Sequence, residues 1–103
     1  MIAILNASYP GHIFKQVVQA FTSKDIPNRP ESVKEVSSVG YADDTGSHTI
    51  FMFDVPDAQV GEFLAIQTRR TAFITARAPG FNAVVHVGKK VGDSIPDLMP
   101  MYP

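Results

Sequence analysis

The chain has 103 residues, the length of one domain, of which 45% are hydrophobic and 18% charged. The apolar content excludes a disordered chain, while the charge falls below the roughly 25% of an average domain. A net charge of −1 excludes bulk attraction to nucleic acid or an anionic membrane, apolar runs of a few residues fall short of the ~18 that a span needs, and the absence of cysteine excludes disulfides and thiolate chemistry.

Residues Ile2 to Leu5 are continuously apolar and rich in β-branched side chains, which predicts a buried strand closed by Pro10-Gly11. From His12 the period changes. Ile13, Phe14, Val17, Ala20 and Phe21 fall on one side of a helix, and Lys15, Gln16, Gln19, Thr22 and Ser23 on the other. Pro27 and Pro30 bracket an extended linker after it. Residues 33–55 then read as a β-hairpin turned at Asp43-Asp44-Thr45-Gly46, with the glycine placed for positive φ. Asp57 is the expected N-cap of a second helix running to about Arg77 and stopped by Ala78-Pro79-Gly80. Phe81 to Val87 is a fourth strand. Residues 1–91 form the expected domain, and residues 92–103 a Pro- and Met-rich tail with no convincing period.

The order β-α-β-β-α-β predicts an α+β fold of the ferredoxin-like kind, a four-stranded antiparallel sheet with both helices on one face. The strand faces add a further expectation. Ile50 and Met52 oppose Phe51 and Phe53, Ile2 and Ile4 oppose Ala3 and Leu5, and Val85 and Val87 oppose Val84. Both sheet faces are therefore apolar, whereas a monomer would leave one polar. In length, element order and two-faced strands the chain resembles the dimeric α+β-barrel superfamily, whose small subunits pack sheet against sheet. The resemblance implies a homodimer. That superfamily hosts cofactor-independent monooxygenases, isomerases, haem-handling enzymes and ligand-sensing domains, and fold alone does not choose among them. In the tail, Ile95, Leu98, Met99, Met101 and Tyr102 suit an arm docked on a neighbouring subunit.

Candidate site residues are few. On the second helix Val60, Phe63, Leu64, Gln67, Thr71, Ile74 and Ala78 make the expected core face, with Gln67 and Thr71 in its middle one turn apart. They either line a small pocket between helix and sheet or satisfy each other, because a buried amide needs partners. Asn6, Ser8 and Tyr9 end the first strand, Asn82 begins the fourth, and the third strand, taken as parallel to the first, brings Asp54 to the same rim. His86 lies midway along the fourth strand and is the candidate general base, and an enzyme reading requires it to meet Tyr41, Tyr9 or Asn6 in an enclosed pocket. Arg69, Arg70, Arg77, Lys89 and Lys90 form a run without an acid, read as a solvated helix face or as a surface for an anionic ligand or a partner's acidic surface. No His-x-x-x-His spacing, phosphate-binding glycine loop or nucleophile elbow occurs, so neither metal nor cofactor is expected. The N-terminus has no basic region and Asn6 interrupts its apolar run, which leaves a cytoplasmic location as the expectation. Taken together, the expected function is binding of a small apolar or amphipathic molecule by a homodimer, with a cofactor-independent enzyme and a protein-interaction module as alternatives.

Overall fold

The computed structural model describes residues 1–101, so Tyr102, counted above among the apolar tail residues, lies outside the described residues. The chain forms β1 (Ile2–Tyr9), α1 (Phe14–Phe21), β2 (Lys34–Asp43), β3 (Gly46–Asp54), α2 (Val60–Arg77), β4 (Asn82–Gly88) and α3 (Val91–Leu98). Short 3-10 turns lead into α1 and α2 and follow α3. The four strands make one sheet in the order β2-β3-β1-β4, with every neighbouring pair antiparallel.

One expectation about direction is corrected. β3 runs antiparallel to β1, with Ile2 opposite Asp54 and Tyr9 opposite Ser47. The hairpin reverses the chain after β2, so β3 must run against β1 when the crossover has laid β2 parallel to it. Asp54 therefore sits at the far end of the sheet from Tyr9. Asn82 does sit at the Tyr9 end, opposite Ser8.

Alternation along β1 divides the molecule. Ala3, Leu5 and Ala7 are buried beneath α1 and α2, whereas Ile2, Ile4, Asn6 and Ser8 face the other way. Registered rows cross that second face: Val39, Ile50, Asn6 and Val84 in one, Ser37, Met52, Ile4 and His86 in the next, and Tyr41, His48, Ser8 and Asn82 in a third. Among the described residues no element covers it, and Val39, Tyr41 and Val84 are 56%, 50% and 46% exposed.

Under the helices the core is in two parts. Ile13, Val17, Ala20, Ile26, Ile74 and Ala78 pack where α1 meets the C-terminal half of α2. Ala3, Leu5, Phe53, Val55 and Phe63 pack under its N-terminal half, with the Phe53 and Phe63 rings 5.6 Å apart and tilted. α2 is turned slightly from its expected orientation. Its buried residues are Phe63, Ile66, Gln67, Arg70 and Ile74, while Leu64 is exposed. Asp57 does not cap this helix. It opens the preceding 3-10 turn, and Gln59 takes the cap position without a side-chain bond.

The segment expected to lack a period carries α3. Val91, Ile95 and Leu98 recur at helical spacing, and Lys89 Nζ bonds Asp97 Oδ2 at 2.8 Å. Pro96 lies inside it, and the apolar side chains of α3 are all exposed.

The hairpin turn is as expected: Gly46 has φ of 128°. A Cβ there would lie 2.5 Å from the carbonyl oxygen of Tyr9, so strain and collision both exclude a side chain. Gly46→Ala should destabilise the protein by about 1–3 kcal/mol, read as a lowered urea midpoint at unchanged slope.

Candidate functional site

A cavity of about 200 Å³ opens where the two core clusters fail to meet. The small side chain of Ala7 forms part of its floor, beside Leu5, Thr49 and Phe51 of the sheet. Val17, Val18 and Phe21 of α1 form one wall, and Gln67, Arg70 and Ile74 of α2 another. Tyr9 and Phe81 close the end nearest the hairpin turn, their rings stacked at 6.2 Å. The lining is apolar apart from a few convergent polar groups, the usual composition of a ligand site.

Those polar groups come from two directions. Arg29 enters from the proline-flanked linker between α1 and β2. Its guanidinium lies over the Phe53 ring at 4.4 Å and its Nη2 donates to Gln67 Oε1 at 2.7 Å. Its Nε is buried and, among the described residues, has no hydrogen-bond partner. Burial, and then the nearby Arg70 cation, push the Arg29 pKa down from its ordinary value to about 10. Arg29 nevertheless remains charged at neutral pH. Arg70 is buried on α2, its Nη1 donates to Pro27 O at 2.6 Å, and desolvation lowers its pKa as well. The basic run is thus not simply a solvated face. Arg70 faces inward because it continues the stripe of Phe63, Ile66, Gln67 and Ile74, whereas Arg77 stays exposed and stacks over Phe73 at 3.4 Å.

Gln67 and Thr71 do meet, Gln67 Nε2 donating to Thr71 Oγ1 at 3.2 Å. Both alternatives raised by the sequence therefore hold for Gln67: it is satisfied by its neighbour and it lines the cavity. Thr71 instead borders a shallower groove on the β4 side of α2, with Leu64, Thr68 and Val85.

The remaining candidates separate. Tyr9 faces the cavity. Asn6, Tyr41 and His86 lie in the registered rows of the uncovered face, and all three are exposed. Tyr41 stacks on His48 with ring centroids 4.9 Å apart, and His48 Nε2 lies 3.0 Å from Asp43 Oδ1. Within one chain these residues do not converge on an enclosed pocket, because residues of opposite parity along β1 point to opposite faces. Among the described residues no group of three His, Cys, Asp or Glu is placed to hold a metal, and no helix is long and apolar enough to cross a membrane. Arg29 was absent from the sequence-based candidates. Pro27 and Pro30 around it were the available signal, since a stiff linker is a poor place for a merely solvated charge.

No family model matches the chain, and no curated protein resembles it significantly. Among solved structures it is similar to an unknown protein from Galdieria sulphuraria, at 17% identity and a TM-score of 0.48, over 87% of this chain and 46% of that one. The chain thus spans less than half the length of that protein.

Replacing Gln67 by Leu removes the acceptor of the half-buried Arg29 guanidinium and should cost about 1–3 kcal/mol. Thr71→Val removes only the partner of an amide donor and should cost less, about 0.5–1.5 kcal/mol. Urea denaturation of the two variants checks that order.

Proposed function

We propose that this protein binds a small apolar or amphipathic molecule in the cavity between its helices and its sheet. The observation that carries the reading is the apolar lining, from Leu5 to Phe81, interrupted by polar groups at the Arg29 side alone, Thr49 apart. An apolar cavity of about 150 Å³ suffices for benzene, so this one suits a single aromatic ring or a short chain. Titration of the isotope-labelled protein with benzyl alcohol should move the amide signals of Ala7, Val17, Phe51 and Ile74. Ala7→Leu fills the space and should abolish those shifts while changing stability by no more than about 3 kcal/mol. Shifts that spread over the surface, or that survive in Ala7→Leu, overturn the reading.

We further infer that the subunit is ferredoxin-like and that a second copy covers its open sheet face. The strand order β2-β3-β1-β4, with α1 and α2 on one side, supports the first statement. Exposed Val39, Tyr41 and Val84 around Ile4, Ile50 and Met52 support the second, since monomers avoid apolar patches of this kind. Four strands spaced about 4.8 Å apart give the sheet a footprint of about 500 Å². A stable interface buries about 800 Å² per partner, so the exposed stripe of Val91, Ile95 and Leu98 on α3 is the natural source of the remainder. Light scattering should give twice the 11.2 kDa chain mass, and the pair Val39→Asp and Val84→Asp should return it to a monomer. A monomeric wild-type protein at tens of micromolar overturns the assembly.

A further inference from the structure

We propose that the molecule bound in the helix–sheet cavity is a small carboxylate, its compact apolar body filling the gap between the core clusters and its oxyanion pairing with Arg29. The proposal rests on the reading of that cavity as a binding pocket and adds the chemical class of its occupant.

The argument begins with an imbalance. Two guanidinium groups reach the same cavity, and among the described residues neither has a carboxylate within ion-pair distance. Arg29 is bonded to the neutral amide oxygen of Gln67 and Arg70 to the neutral carbonyl of Pro27. Glu35, the acid that favours the Arg29 charge, does so only through space from the exposed edge strand. A cation desolvated in this way, beside a second cation, is costly unless an anion arrives. The Nε of Arg29 is also buried and, among the described residues, without a hydrogen-bond partner, so the guanidinium is short of acceptors as well as of a counter-ion.

Geometry then narrows the anion. A guanidinium presents its N–H groups as a planar fork that matches a carboxylate, and charge-assisted bonds of this kind are about twice as strong as neutral ones. Phe21, Phe51, Phe81 and Ile74 surround the rest of the cavity and offer nothing to a hydrated inorganic anion. Phosphate would meet the charge but leave these walls uncovered. A volume of about 200 Å³ limits the apolar body to roughly one ring, which makes benzoate a suitable probe.

The test compares benzoate with its neutral isostere benzamide, and with inorganic phosphate, by amide-shift titration at pH 7. Benzoate should bind at least tenfold more tightly than benzamide and move the signals of the cavity residues, with phosphate weaker than either. Arg29→Gln should erase the preference, so that benzoate and benzamide bind alike, and Arg29→Lys should restore part of it. Equal affinities for the two in the wild-type protein would overturn the carboxylate, and a preference that persists in Arg29→Gln would overturn Arg29 as its partner, either result leaving the pocket intact. Phosphate binding as tight as benzoate would overturn the apolar body. If neither benzoate nor benzamide shifts the cavity residues, the pocket itself is refuted along with its occupant. Should Arg29→Gln fail to fold, the wild-type contrast decides alone.

Discussion

The alternation of side chains along β1 sets nearly everything else. β1 is central, hydrogen-bonded on both edges, so its two faces are the middle of the two faces of the sheet. On the covered side it presents, before Tyr9 at the end of the cavity, the three residues Ala3, Leu5 and Ala7. Two of the three are the smallest side chain that still has a Cβ, so bulk must come from elsewhere. Near Ala3 it comes from Phe53 and Phe63, and the core closes there. Beside Ala7 the registered neighbours are the small Thr49 and Ala83, and α1, only eight residues long, does not fill the space over them. The cavity is where that supply runs out.

The same accounting explains how much of the molecule could be read from the residues. Period-2 and helical patterns place all four strands and the first two helices, because each buries one face and leaves its rhythm in the sequence. Gly46 and Gly80 were legible as turn residues because both adopt positive φ. The antiparallel sheet also follows from the element order, and only the direction given to β3 relative to β1 does not fit that connectivity. α3 escaped because Pro96 and a glycine obscure a stripe of apolar residues only three positions long.

Of the site, Gln67 was legible and Arg29 was not. An amide in the middle of an apolar helix face stands out in a single window of sequence. A half-buried arginine in a linker stands out only once the fold brings residues 29 and 67 together, 38 positions apart. Arg70 falls between these cases. Its position on the stripe with Ile66 and Ile74 pointed inward, but its membership of a basic run pointed outward. Packing decided the contest, since a guanidinium can bury its stem and still bond a backbone carbonyl.

Arg29 stands between Asn28 and Pro30, and the carbonyl of Pro27 is held by Arg70. Two fixed φ angles and one charge-assisted bond thus restrain the short stretch of chain that delivers the guanidinium. The entropy of ordering that stretch is spent when the protein folds, not when a ligand arrives. On the proposed carboxylate reading, a cationic anchor prepared in this way would meet its guest already in position, with little of the encounter energy diverted into arranging the host.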